Sequence, residues 1–175
     1  MKQIRNNVFE TNSSSTHSIC ISKKPVSADG HFIRFYIGQY GWEHDCVDTA
    51  DYLYTAILCM EDSEDLLEKL KEILDRHQIV YEFEEPDYSD DGWLNNGYID
   101  HSYDTRDFID GVLSNEDMLI RCLFGDSCVY TGNDNDAEPD SMCYAAEPTT
   151  WDSSYHSIPN PNHDSENYDY FFKGN

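Results

Sequence analysis

The chain has 175 residues and a formal net charge of −24 at pH 7, because 35 Asp and Glu side chains outnumber 11 Lys and Arg. This length, with 13 Tyr, 8 Phe and 3 Trp, predicts one folded domain with a hydrophobic core and argues against a disordered acidic chain. A surface of this charge repels phosphate backbones and attracts basic surfaces, which excludes a nucleic-acid-binding protein that works through a basic face.

The N-terminal part differs in charge from the rest of the chain. Residues 1–39 hold five basic and two acidic side chains, a balance of +3, which leaves −27 for the remainder. Met1 to Arg5 begins no long apolar stretch, and no later run is long and apolar enough to cross a bilayer. We therefore expect no signal peptide and no membrane segment, and we expect a cytoplasmic protein.

Three short β-strands are predicted in this N-terminal unit. They are Val8–Glu10, Ser18–Ser22 and His31–Ile37, and the last is the richest in β-branched and aromatic residues. The polar run Thr11–Thr16 separates the first two strands. We expect the three strands to pair in antiparallel fashion.

Two helices and a strand are predicted next. Asp48 or Thr49 can cap a first helix that extends to Met60, with apolar residues at helical spacing. Asp62 begins a second helix whose apolar residues lie on one face and whose charged residues lie on the other. Residues 79–83 follow as a strand.

The region 86–103 is rich in Asp, Asn, Gly and Tyr, so a loop or lid is predicted there. Thr105 can cap a short helix through Leu113, and another short helix is predicted from Ser114. Residues 128–131 are the last predicted strand.

Together these elements predict an α+β fold, in which a small antiparallel sheet from the N-terminal strands packs against several α-helices and an irregular acidic C-terminal segment follows. The α+β body is placed at residues 1–132, with the N-terminal β unit at 1–39. Residues 133–175 are expected to be an extended acidic and aromatic segment packed on that body. The six cysteines are scattered without a CxxC pair, so reduced thiols in the core are expected, although an even number also allows disulfides.

A run of hydroxyl residues with one histidine is the first candidate site. A loop of this kind can hold a phosphate or a carboxylate through its amides and hydroxyls, with the histidine as a proton carrier. Such a run is also typical of a hydrogen-bonded turn. The residues of this possible anion loop are Asn12, Ser13, Ser14, Ser15, Thr16 and His17. Catalysis would need an acid that orients the histidine, so the catalytic alternative consists of Glu10, Thr16 and His17.

The acidic surface is the second candidate site. Carboxylates held on a rigid surface can replace phosphates in a groove lined by Lys and Arg, and aromatic side chains among them suit arginine-rich surfaces. The alternative is a solvated exterior without a specific partner, but so large a charge repels itself and destabilises a fold. The predicted partner-binding residues are Glu61, Asp62, Glu64, Glu82, Glu84, Glu85, Asp87, Asp90, Asp91 and Trp93.

No motif indicates a cofactor or a metal. The sequence contains no Gly-rich phosphate loop with lysine, no HExxH, no GxSxG and no zinc-binding spacing. Asn133 to Glu138 is similar to the first half of a calcium loop but lacks the required glycine, so a solvated acidic turn is predicted there. We therefore predict no cofactor and no metal.

Two segments carry a resemblance to a known group of proteins. Residues 2–18, KQIRNNVFETNSSSTHS, resemble the opening shared by small proteins of phages and mobile elements in gut Firmicutes. Residues 119–134, with CLF at 122–124 and YTGND at 130–134, resemble a second block of those proteins. The group includes type II-A anti-CRISPR proteins, which inhibit Cas9.

This resemblance implies an anti-CRISPR protein that acts in a bacterial host cell. Cas9 holds its guide RNA and its target in positively charged channels. An acidic protein that mimics DNA could bind Cas9, with or without guide RNA, and prevent DNA binding or cleavage. On this view the protein is not an enzyme. The alternatives are a ribonuclease that contacts and cleaves guide RNA through the Ser/Thr/His loop, or a phage protein that binds another basic host factor.

Overall fold

The computed structural model describes residues 15–28, 30–43, 45–133, 145–151, 153–154 and 156–173. These residues contain α-helices and an antiparallel sheet, so the fold is α+β, as the sequence predicts. The strands are β1 (Ser15–Ser22), β2 (Phe32–Phe35), β3 (Gln39–Tyr40), β4 (Asp45–Val47), β5 (Val80–Phe83), β6 (Tyr98–Ile99), β7 (Ser127–Asn133), β8 (Thr149–Trp151), β9 (Ser157–Pro159) and β10 (Tyr168–Lys173). The helices are α1 (Thr49–Leu58), α2 (Ser63–Arg76), α3 (Arg106–Ser114) and α4 (Glu116–Phe124), with a 3-10 helix at Ser102–Thr105.

The main sheet has four antiparallel strands in the order β10, β1, β7, β4. The N-terminal strand β1 therefore lies inside the sheet, between two strands from the C-terminal half of the chain. Ile19 lies opposite Val129 on one side and opposite Phe171 on the other. Both faces of β1 are covered, and seven of its eight residues are buried.

The strands β2 and β5 form a separate parallel pair, in which Phe32 lies opposite Val80. A parallel pair needs a long crossover connection, and α1 and α2 supply it because they lie between the two strands in the chain. The antiparallel pairing expected between the Ser18–Ser22 and His31–Ile37 strands is wrong, since β2 pairs with β5 instead of β1. The predicted strand Val8–Glu10 lies outside the described residues.

Local capping determines where the helices begin. Asp48 accepts hydrogen bonds from the backbone N–H groups of Ala50 and Asp51, at 2.8 and 3.1 Å, and so caps α1. Asn115 accepts from the N–H of Met118 at 3.1 Å and caps α4. The helix expected from Ser114 therefore begins two residues later. No helix within the described ranges is long and apolar enough to cross a membrane.

The hydrophobic core lies between the main sheet and the helices. The inner face of β1 contributes Ile19 and Ile21, and α1 contributes seven of its nine buried residues. The rings of Tyr52 and Phe108 meet in this core with their centroids 6.0 Å apart. Burial of these large side chains supplies the main stabilising free energy of the fold.

The region 86–103, predicted as a loop or lid, has little regular structure apart from β6 and an isolated bridge between Tyr88 and Leu94. The N–H of Ser89 donates to the carbonyl of Trp93 at 2.8 Å, and the N–H of Gly92 donates back to Ser89 at 2.9 Å. Gly92 has a φ of 81°, which favours glycine at this turn. The hairpin-like turn presents its acidic residues to solvent.

One disulfide joins two strands of the main sheet. Cys46 on β4 is bonded to Cys128 on β7, whereas the sequence favours reduced thiols. The pairing follows from the sheet, because β4 and β7 are antiparallel neighbours and bring the two Cα atoms to 6.2 Å. Sequence spacing alone could not indicate it, since 82 residues separate the two cysteines.

Candidate functional site

The structure describes only part of the predicted anion loop. The members outside the described residues are Asn12, Ser13 and Ser14, together with the catalytic candidate Glu10. Ser15, Thr16 and His17 do not form a turn, because they are the first residues of β1 and pair with β7. The strand therefore begins earlier than the sequence predicts, and the expectation of a loop is wrong at these three positions.

His17 is fully buried and both of its ring nitrogens are engaged. Its Nε2 lies 2.7 Å from the carbonyl oxygen of Gly41, and its Nδ1 lies 2.7 Å from the hydroxyl of Tyr52. A carbonyl oxygen can only accept, so Nε2 carries the proton and Nδ1 accepts from the Tyr52 hydroxyl. His17 thereby ties β1 to α1 and to the turn after β3.

Burial also determines the charge of His17. Desolvation lowers its pKa to about 4, and the nearby charge of Lys173 adds to that effect. The ring is therefore neutral near pH 7. A role as general acid or base would require one of its two short hydrogen bonds to break, so the geometry favours a structural role.

A buried lysine lies next to this histidine. Lys173 is the last residue of β10, and its Nζ donates to the backbone oxygen of Ser15 at 2.7 Å and to the Ser15 hydroxyl at 2.5 Å. Burial lowers the pKa of Lys173 to about 8, although the charges of Asp100 and Asp104 act in the opposite direction. A serine hydroxyl beside such an amine has the composition of a nucleophile and its base. Both side chains are fully buried, so a substrate cannot reach them in this conformation.

A second buried cation holds the sheet against α4. Arg121 donates to the carboxylates of Asp117 and Asp169 at 3.0 Å each and to the backbone oxygen of Ser22 at 2.9 Å. Its side chain is only 7 % exposed, so its charge is stabilised by these oxygens rather than by water. This network is structural, because it joins α4 to β1 and β10.

Four of the predicted partner-binding acids are occupied within the fold. Asp62 accepts two hydrogen bonds of 2.9 Å from Arg106, and Glu82 pairs with Arg34 across the β2–β5 pair. The other two make weaker or local contacts: Glu84 accepts from the N–H of Ile37 at 2.8 Å, and Asp87 lies 3.4 Å from the amide nitrogen of Asn95. These contacts reduce what the four carboxylates can offer to a partner.

The remaining members of the predicted set face solvent. Trp93 is 44 % exposed on the turn of the 86–103 region. Five carboxylates are exposed and form no ion pair with any residue that the structure describes; they are Glu61, Glu64, Glu85, Asp90 and Asp91. We call this group the open acidic surface.

The fold brings the two acidic runs together, although they are about 20 residues apart in the chain. Tyr88, within the second run, lies close to Ser63 and Glu64 at the start of α2. The hydroxyl of Tyr54 donates to the backbone oxygen of Glu84 at 2.7 Å, and burial raises the pKa of Tyr54 to about 12, with nearby Tyr88 and Glu85 adding to the rise. Tyr88 therefore places the second acidic run beside the start of α2, and Tyr54 holds the beginning of that run against α1. The two runs form one negatively charged region.

Sequence reasoning missed the buried cations. Lys173 lies at the end of an aromatic run, and Arg121 lies in an amphipathic helix, so neither position carries a motif. The apolar surroundings of each cation indicate burial, and for Arg121 the helical spacing to Asp117 indicates one partner. The other partners come from distant parts of the chain.

The described residues contain no group of three or more His, Cys, Asp or Glu side chains that could hold a metal ion. The calcium-like run at 133–138 lies outside those residues except for Asn133, which ends β7. No protein-family model matches the chain, and searches of the curated proteins and of the solved structures returned no match.

Proposed function

We propose that this protein docks the open acidic surface on a cationic protein, and that this partner is Cas9, alone or with its guide RNA. The bound inhibitor would prevent Cas9 from binding or cutting DNA. The observation that carries the proposal is the proximity of the two acidic runs at Tyr88, together with five exposed carboxylates that form no ion pair with a described residue.

Physical chemistry supports a cationic partner for this surface. Carboxylates that are not neutralised within the fold keep their field, which speeds encounter with a basic cleft and weakens as salt rises. The contacts of Tyr54 and Tyr88 restrain the surface, so it loses little conformational entropy when it binds a partner. Trp93 adds a ring that an arginine can stack on.

The choice of Cas9 rests on the resemblance of residues 2–18 and 119–134 to proteins that include type II-A inhibitors. Cas9 grips nucleic acid through cationic channels and reads the PAM with arginines. An array of carboxylates held in such a channel competes with phosphates for the same side chains. The resemblance and the charge therefore point to the same partner.

The test is a DNA cleavage assay with Cas9, guide RNA and increasing amounts of protein. The test variant reverses three carboxylates of the open acidic surface: Glu61→Lys, Glu64→Lys and Glu85→Lys. The matched control makes the same charge change at exposed acids elsewhere: Glu43→Lys, Asp107→Lys and Glu166→Lys. We expect the test variant to need at least about tenfold more protein for half inhibition, and the control to stay close to the wild type.

Two results of the cleavage assay would overturn the proposal. Full cleavage in the presence of excess wild-type protein would show that Cas9 is not the partner. Equal loss of inhibition in both triple variants would show that inhibition depends on net charge and not on the open acidic surface. The guide RNA should also be recovered and run on a denaturing gel. An intact guide RNA supports inhibition by occlusion. A shortened guide RNA would instead show that the protein inhibits Cas9 by RNA cleavage.

A further inference from the structure

One edge of β2 faces away from its partner strand β5. The N–H of Val80 donates to the carbonyl of His31 at 3.0 Å and that of Glu84 donates to Phe35 at 2.9 Å, so the odd-numbered residues of β2 face β5. Backbone groups alternate in direction along a strand, and those of Phe32 and Arg34 therefore point away from β5. No further described strand pairs with β2 on that side.

A groove runs along this outer edge. It has a volume of about 290 Å³ and lies between β2, the start of α1 and the end of α4. Its apolar lining comes from Ile33, Ala50, Leu123 and Phe124. Phe32 and Tyr36 stand at its rim with about half of their surface exposed, so the groove has an accessible apolar border.

The polar side of the groove is negative. Asp48 and Asp51 line it, and the carboxylate of Asp51 accepts from the N–H of Tyr36 at 2.8 Å. Burial raises the pKa of Asp51, and the charges of Asp48 and Glu84 raise it further. Among the described residues that line the groove, the cation is Arg34, and it is paired with Glu82. A positive charge that enters the groove is therefore stabilised.

We propose that this groove binds an extended, basic segment of a partner protein, which adds as a strand to the outer edge of β2. Its backbone would pair with the N–H and C=O groups of Phe32 and Arg34. Side chains alternate along a strand, so apolar residues would face Ile33 and Leu123 while a Lys or Arg approaches Asp48 and Asp51. This proposal goes beyond the proposed function, because the groove is separate from the open acidic surface and its partner need not be Cas9.

Binding is measured by fluorescence anisotropy with a labelled peptide of alternating Val and Arg. A peptide of alternating Val and Glu tests the charge, and a Val/Arg peptide N-methylated at every residue tests strand addition, since it keeps the charge but has no N–H group to donate to β2 from either edge. We expect the first peptide alone to bind tightly. Hydrogen exchange should then show that the amides of Phe32 and Arg34 become protected in the complex.

The matched variants remove charge and keep the hydrogen bonds. Asp48→Asn retains the helix cap and Asp51→Asn retains the acceptor for Tyr36, so both should fold. We expect the double variant to bind at least about tenfold more weakly, while Asp107→Asn with Glu166→Gln leaves binding unchanged.

Three outcomes would overturn the inference. Equal binding of the N-methylated peptide would mean that charge alone attracts the segment. Protection of Phe32 and Arg34 that increases with protein concentration, without peptide, would identify a second copy of the chain as the occupant. No binding by the Val/Arg peptide would remove the site.

Discussion

Because His17 is buried and neutral, we predict that the free energy of unfolding falls as the pH falls below about 6.5. The pKa of His17 is about 4 in the folded protein and 6.5 in an exposed chain, a difference that corresponds to about 3 kcal/mol. Because the folded value is lowered, the unfolded chain takes up the proton first as pH falls. This contribution is therefore complete above about pH 6.5 and is lost as pH falls through about 4.

The perturbation is His17→Gln, which keeps a donor and an acceptor but cannot titrate. Urea unfolding, followed by tryptophan fluorescence, would be measured at about pH 7 and at about pH 4.5. Many carboxylates titrate in the same range, so the wild type must be compared with the variant rather than with itself. Between these two pH values we expect the wild type to lose about 2 kcal/mol more than the variant.

At pH 7 the same variant should also be less stable than the wild type, by about 1–3 kcal/mol, because the amide cannot match both short hydrogen bonds. The control is His163→Gln, at an exposed histidine, and it should follow the wild type at both pH values. Equal losses in the wild type and in His17→Gln would refute the reasoning. They would mean that His17 is not held neutral inside the fold.

Two further predictions concern the buried cations. Lys173 has its pKa lowered to about 8, so the folded protein releases that proton before the unfolded chain does, and stability should rise between about pH 8 and 10.5. Relative to Lys173→Met, the wild type should gain about 2–3 kcal/mol between pH 7 and 10 in urea unfolding, and parallel pH curves would contradict this. Arg121→Met removes the donor that Asp169 has in addition to Lys23, and it removes the donor to the backbone oxygen of Ser22, so it should lower the free energy of unfolding by about 1–3 kcal/mol. An exposed control, Arg76→Met, should change it by less than about 1 kcal/mol.

The helices could be predicted from short stretches of sequence. Asp48 caps α1 and apolar residues repeat at helical spacing through α2, and both signals act within a few residues. The error at Ser114 has a local cause as well, because Asn115 rather than Ser114 provides the capping oxygen for α4. Helix boundaries are therefore largely a local property of this chain.

Strand pairing could not be predicted in the same way. The alternation of Ile19 and Ile21 indicates a strand, but it does not indicate that β7 and β10 will flank it. Pairing depends on contacts between distant segments, and several arrangements satisfy the same local pattern. The disulfide between Cys46 and Cys128 follows only once β4 lies beside β7.

The candidate sites, like the helices and strands, have some properties that can be predicted from the sequence and others that depend on the tertiary structure. Net charge, the acidic runs, the polar run with His17 and the α+β class can be recognised from the chain itself, because composition and spacing do not depend on the fold. The tertiary structure alone decides that His17 is neutral, that Asp62 and Glu82 are paired while Glu61 and Glu64 form no ion pair with a described residue, and that no described strand covers the outer edge of β2. Protonation, ion pairing and strand edges depend on distances and burial, and these are set only when remote segments pack together.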